Sequence, residues 1–323
     1  MSPRARTAIL VAAVAVLAAA VVAGVSVWSA EEVTRADAAE TAPTPREGPP
    51  PLALDLGLRD DAEARDLRRG AQLYRAGRIE QAAAIFARHD SLEAKLGSAF
   101  ADWPAGEDRV EQLGALYPRS ALVQVHVGLA RFWAGTGGAD TAWREARDVE
   151  PDTPYAVRAD DFLHPEFAPG LPSFVPSFAV ALEQADDASR EEQLTALSRD
   201  HSLRGRLTYG VVLQRLGRPV SARRAFAAAL ESAPNDVDAL VADAVGRYDK
   251  ANPSASFSRL GPLSRRFPQA ATVRFHLGLL LLWQKDVVEA QRQLELARRD
   301  EPGSKIAAEA KRFLDAIRKA GTS

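Results

Sequence analysis

The fold is decided by Tyr209–Pro302, a stretch that opens with YGVVLQRLGRPVSARRAFAAALESAP (residues 209–234). Small residues recur at positions 210, 244 and 278, and prolines recur at 234, 268 and 302, so both series step by 34 residues. In the first unit Ala222 and Phe226 lie four apart, which places them one turn apart on one helix face. The spacing predicts pairs of helices, the second of each pair ending at the proline because proline cannot continue a helix.

The same marks occur earlier in the chain. GAQLYRAGRIEQAAAIF (70–86) aligns with GVVLQRLGRPVSARRAF (210–226), and VHVGLARFW (125–133) aligns with FHLGLLLLW (275–283). A degenerate unit, LEAKLGSAFADW (92–103), aligns with VDALVADAVGRY (237–248). We therefore predict an all-α chain with two three-repeat blocks, 59–163 and 203–303. The first block includes its own closing helix, and residues 304–323 form a capping helix with one apolar side.

These marks together resemble the tetratricopeptide repeat (TPR) family, whose 34-residue unit is a helix-turn-helix. The resemblance implies an α-α superhelix that binds a protein or peptide on its inner face, which the first helix of each pair lines. Family positions that face this groove correspond here to Tyr74, Arg75, Trp103, Phe132, Trp133, Gln214, Arg215, Tyr248, Asp249, Leu282 and Trp283. For Phe132, Trp133, Leu282 and Trp283, core packing is an equally good reading, because their helices are apolar nearly all round. The lysine and asparagine pattern that captures a C-terminal carboxylate is not evident.

The first 58 residues predict a membrane anchor and a tether. Residues 1–6 carry Arg4 and Arg6, and residues 7–28 form an uncharged, apolar run long enough to span a bilayer. We favour an uncleaved transmembrane helix with its N-terminus in the cytoplasm and the body outside; a cleaved signal would leave a secreted or periplasmic protein. Residues 29–58 are proline-rich and predict a disordered linker, although 52–58 could form an adhesive segment or short helix.

Residues 164–202 interrupt the repeats and are rich in proline and phenylalanine near their start. We expect a connector whose phenylalanines seal the junction between the blocks. The alternative is a loop lying in or beside the groove.

Composition and motifs argue against a catalytic, metal-binding or nucleic-acid-binding function. The chain has no cysteine, a net charge of −2 and a pI near 6.3, so thiolate sites are excluded and no basic face for nucleic acid is indicated. Asp161 and His164 have ligand-like spacing, but a metal site needs three or four placed ligands. His126 and His276 occupy equivalent repeat positions, which duplication explains better than catalysis. We expect no catalytic residues, metal or cofactor.

The sequence therefore predicts a non-enzymatic interaction scaffold or adaptor. Its richness in Ala and Arg, with little Lys, indicates a GC-rich bacterial source, and the anchor places it at the cell envelope. Two alternatives stay open: a metal-dependent factor or enzyme that uses Asp161 and His164, and a solenoid that self-assembles end to end.

Overall fold

The computed structural model describes residues 44–178 and 190–321 of the 323-residue chain. Within those ranges the regular elements are α-helices without strands, which confirms the predicted all-α fold class. The predicted segments 1–6 and 7–28 lie outside the described residues. In the part of the chain that is described, no helix combines the length and apolar character needed to cross a membrane.

The described residues fall into two compact units. The first unit comprises 44–163 with 216–220, and the second comprises 164–178, 190–215 and 221–321. The first unit contains three helix pairs and a closing helix: α1 (Ala62–Arg75), α2 (Ile79–Phe86), α3 (Leu92–Ala101), α4 (Glu107–Leu116), α5 (Ala121–Ala134), α6 (Ala139–Val149) and α7 (Pro154–Leu163).

The second unit repeats this order after one connecting helix, α8 (Arg190–Arg199). Its pairs and closing helix are α9 (Leu203–Arg215), α10 (Pro219–Ser232), α11 (Val237–Gly246), α12 (Ser254–Arg266), α13 (Ala271–Trp283), α14 (Val287–Asp300) and α15 (Lys305–Gly321). Both units thus show the predicted three pairs with a closing helix.

Glycines on the first helix of a pair let the second helix approach closely. A methyl group at Gly210 would lie 2.2 Å from Cε1 of Phe226, and one at Gly128 would lie 2.2 Å from Nε1 of Trp143. Real side chains do not come so near, so only glycine fits at these crossings. Phe226 is completely buried there, a contribution of about 1.5–3 kcal/mol to stability. A small residue on the first helix and a large one on the second thus make the close contact at both of these crossings.

Residues 44–58 differ from the predicted disordered linker. They form no helix, yet Pro50, Leu52 and Leu56 are buried, and the two leucines join the apolar core of the first unit. Prolines favour an extended backbone, which forms no hydrogen bonds within itself. The backbone groups of this segment bond instead to groups of the helices. For residues 52–58, the alternative prediction of an adhesive segment agrees with the structure better than the prediction of a disordered linker does.

Candidate functional site

In each unit the first helices of the pairs pack side by side and are followed by the closing helix. We call the face of α1, α3, α5 and α7 the first groove, and the face of α9, α11, α13 and α15 the second groove. Each groove holds an extended segment of the unit to which it belongs: residues 46–56 are the first groove segment and residues 168–178 the second.

The first groove binds the backbone of its segment. The N–H of Arg46 donates to the carbonyl of Trp133 (2.8 Å), and the hydroxyl of Tyr74 donates to the carbonyl of Pro50 (2.6 Å). The N–H of Ala53 donates to Nε2 of His126 (3.2 Å). On the closing helix, the hydroxyl of Tyr155 donates to the carbonyl of Asp55 (2.7 Å) and accepts from its N–H (3.2 Å). These bonds involve no side chain of the segment, so they determine the path of its backbone but do not select its sequence.

The second groove binds its segment in the same way. The N–H of Ala168 donates to the carbonyl of Trp283 (2.9 Å), whose indole N–H donates to the carbonyl of Gly170 (3.1 Å). The N–H of Phe174 donates to Oε1 of Gln214 (2.9 Å). The N–H of Val175 donates to Nε2 of His276 (2.9 Å).

Charged groups hold the end of the second groove segment. The ammonium of Lys305, on the closing helix, donates to the carbonyls of Pro176 (3.0 Å) and Phe178 (2.8 Å). The N–H and hydroxyl of Ser177 donate to Oδ2 of Asp238 (3.1 and 2.6 Å). Burial raises the pKa of Asp238 and lowers that of Lys305. Hydrogen bonds to ionised groups are stronger than neutral ones, so this end is held firmly.

His126 and His276 are fully buried and bridge groove and segment. Their Nδ1 atoms lie 2.7 Å from the carbonyl of Leu122 and 2.6 Å from the carbonyl of Thr272. A carbonyl only accepts, so Nδ1 carries the proton and the lone pair of Nε2 accepts the segment N–H. Burial lowers the pKa of both histidines to about 4, which keeps the rings neutral. The structural role predicted for them therefore includes binding the segments.

Four predicted site residues bond the segments directly: Tyr74, Trp133, Gln214 and Trp283. Trp283 is also buried, so it both packs in the core of the second unit and bonds the segment. Its neighbour Leu282 is buried in the same core. Phe132 is 40 % exposed, and the guanidinium of Arg46 lies 4.2 Å from its ring centre. Trp103 stacks on Phe100, with ring centres 6.2 Å apart.

The other predicted site residues contact neither segment through a described bond. Tyr248 is buried in the core of the second unit, and the carboxylate of Asp249 accepts from the N–H of Ala251 (2.9 Å), which closes a turn. Arg75 and Arg215 are exposed. Desolvation by the surrounding protein nevertheless lowers the pKa of Arg215.

The alternative metal site has little support in the geometry. Asp161 is buried and lies 3.9 Å from a guanidinium nitrogen of Arg158, while Nδ1 of His164 lies 3.3 Å from a carboxylate oxygen of Glu166. Nowhere among the described residues do three or more metal-ligating side chains come together.

Sequence reasoning missed residues 46–56 as a groove segment and also missed Tyr155 and Lys305. For residues 164–202 it offered a loop in or beside the groove as the alternative, and the structure places 168–178 in the second groove. A signal was present: the buried histidines recur with one shift between the blocks, and a proline-rich stretch precedes each block.

No protein-family model matches the chain, and no curated protein sequence matches it either. Among solved structures it is similar to the APC/C hetero-tetramer Cut9–Hcn1, with 14% identity and a TM-score of 0.30 over 80% of this chain and 56% of that one. It is also similar to yeast Tom70, with 14% identity and a TM-score of 0.31 over 84% of this chain and 66% of that one. The chain thus spans less than two thirds of the length of either structure.

Proposed function

We propose that this protein is a non-enzymatic scaffold that binds an extended segment of a protein partner in its grooves, at the bacterial cell envelope. One observation carries the proposal: each groove already holds an extended chain by bonds to its backbone. Backbone recognition supplies affinity for any chain that adopts the same path, and pockets for alternate side chains supply specificity.

The grooves also keep accessible side chains suited to partner contact. Phe132 is exposed beside the half-buried Trp133, and Arg75 and Arg215 are exposed at the ends of first helices. Aromatic and arginine side chains carry much of the binding free energy in protein interfaces. We propose that a partner segment uses these contacts in addition to backbone bonds.

The envelope location rests on the sequence of residues 1–28. Arg4 and Arg6 before the apolar run favour a cytoplasmic N-terminus, so the body would lie outside the cytoplasmic membrane. Protease added to spheroplasts should digest the body while a cytoplasmic marker survives. A body that resists protease until the membrane is dissolved would contradict this placement.

Site-specific photo-cross-linking tests the groove. A photoreactive amino acid at Phe132 of the full-length protein in its own cells should capture a discrete protein partner. The matched control is Leu116, which is 71% exposed on the second helix of a pair. Equal capture at both positions, or none at Phe132, would refute binding in the first groove.

A further inference from the structure

The two groove segments are copies of one pattern in one pose. REGPPPLALDL (46–56) and APGLPSFVPSF (168–178) align residue for residue when n corresponds to n + 122. Gly48 and Gly170 share a φ of +73°, a left-handed conformation that favours glycine. The two segments then share a buried proline, a buried large apolar residue and an N–H bonded to histidine, at positions 50, 52 and 53 and at 172, 174 and 175.

The groove side is duplicated too. Tyr74 and Gln214 occupy equivalent positions, and each bonds the middle of its segment. The equivalent pairs continue with His126 and His276, Trp133 and Trp283, and Tyr155 and Lys305, all shifted by 150 residues. Two bonds are equivalent in both grooves: the N–H of 46 or 168 donates to the tryptophan carbonyl, and the N–H of 53 or 175 donates to the histidine. The two grooves therefore hold their segments in the same register.

We propose that each groove is a site for one class of peptide, an extended segment with the pattern Gly-x-Pro-x-Leu/Phe, and that a partner segment of this class replaces the chain's own groove segment. This inference rests on the proposed function. It adds the class of peptide that binds in the grooves and identifies the chain's own groove segment as the competitor of that peptide. Specificity comes from the left-handed glycine, the buried proline and the large apolar side chain two residues later.

The first groove segment is the one that a partner displaces more readily. Residues 44–49 are exposed, whereas Ala168 of the second segment is buried. Nε1 of Trp133 is buried without a hydrogen-bond partner among the described residues, while the equivalent atom of Trp283 bonds its segment. On the closing helices, the neutral hydroxyl of Tyr155 bonds one residue of the first segment, whereas the ammonium of Lys305 donates to two carbonyls of the second.

Fluorescence anisotropy with labelled peptide REGPPPLALDL and the full-length protein tests the proposal. In wild type the tethered segment competes at an effective concentration of order millimolar, so the peptide binds weakly. Leu52→Asp removes a buried leucine from the tethered segment, and we expect the peptide to bind between about tenfold and a hundredfold more tightly. Pro51→Asp adds the same charge on the exposed side of the segment and should bind as wild type does.

Two further peptides check the pattern. Unlabelled APGLPSFVPSF should compete with the labelled peptide, and REGPPPDALDL, in which aspartate replaces the buried leucine, should not. Equal binding to wild type and the Leu52→Asp variant, or equal competition by both peptides, overturns the proposal.

Hydrogen exchange of the wild type gives an answer even where Leu52→Asp does not fold. Excess unlabelled REGPPPLALDL should accelerate exchange in residues 50–56, including the N–H of Ala53 that His126 accepts. Unchanged exchange at saturating peptide overturns the proposal. If a partner cross-links at Phe132 but no peptide of this pattern binds, the proposed function stands and only this inference fails.

Discussion

Mild acid should destabilise both units through their buried histidines. The pKa of His126 and His276 is about 4 in the folded protein, against 6.5 for a free histidine. The unfolded chain therefore takes up protons at higher pH than the folded protein does. The stabilisation is complete above about pH 6.5 and is lost as pH falls from there towards 4.

The magnitude follows from the size of the shift. At 1.36 kcal/mol for each pKa unit, each histidine contributes about 3 kcal/mol in full, of which about 2 kcal/mol is lost between pH 7 and pH 5. Carboxylates with a lowered pKa affect stability at lower pH. The stabilisation from Asp61, whose pKa is about 2, is lost only below about pH 3.8. Burial and the positive charge of Arg158 both lower the pKa of His126. In the second unit the pKa of Asp238 is raised, so its protonation stabilises the folded protein as pH falls and opposes the effect of His276.

Urea unfolding followed by tryptophan fluorescence at pH 7, 6 and 5 measures this effect. His126→Gln and His276→Gln are suitable comparison variants because the amide oxygen accepts the segment N–H but does not titrate. The wild type should lose about 2 kcal/mol for each histidine over this range, and each variant should lose about 2 kcal/mol less than the wild type. A wild-type free energy that is constant from pH 7 to pH 5, or a loss that the variants share, would refute the reasoning.

Two further predictions concern packing and the charged end of the second groove. Gly210→Ala should lower the free energy of unfolding by about 1–3 kcal/mol because its methyl group meets Phe226. Gly261→Ala, on a helix with nothing within 4 Å of the new methyl group, should raise it by up to about 1 kcal/mol, and chemical denaturation distinguishes the two. Lys305→Met should accelerate hydrogen exchange in residues 174–178, because two carbonyls lose a charged donor. Exchange as slow as in the wild type would contradict that role.

The helical architecture was predictable because it depends on local spacing. Gly210 and Phe226 belong to one repeat, so the contact between them is written within a short stretch of chain. Repeat position also placed Tyr74, Trp133, Gln214 and Trp283 on the faces that hold the groove segments, since equivalent positions of a repeat face the same way. That they bind a partner stays a prediction. The same positional rule assigned Tyr248 and Asp249 to the groove. In the structure Tyr248 packs in the core and Asp249 closes a turn, because the end of a helix departs from the repeat geometry.

The role of residues 44–58 was not predictable in this way. Prolines without a helical period are typical of a disordered spacer, and nothing within the stretch indicates a binding surface far along the chain. The hydrogen-bonded partners are far apart in the chain: 73 residues separate Ala53 from His126, and 101 separate Val175 from His276 in the second groove.

The sequence by itself determined the helix pairs and their period, because these follow from residue spacing within one repeat. It also determined their duplication, because the two blocks align with each other. Only the tertiary structure decided that each groove is occupied and by which segment. An extended segment satisfies its backbone hydrogen bonds outside itself, and its partners are known only once the helices have assembled a surface that supplies them.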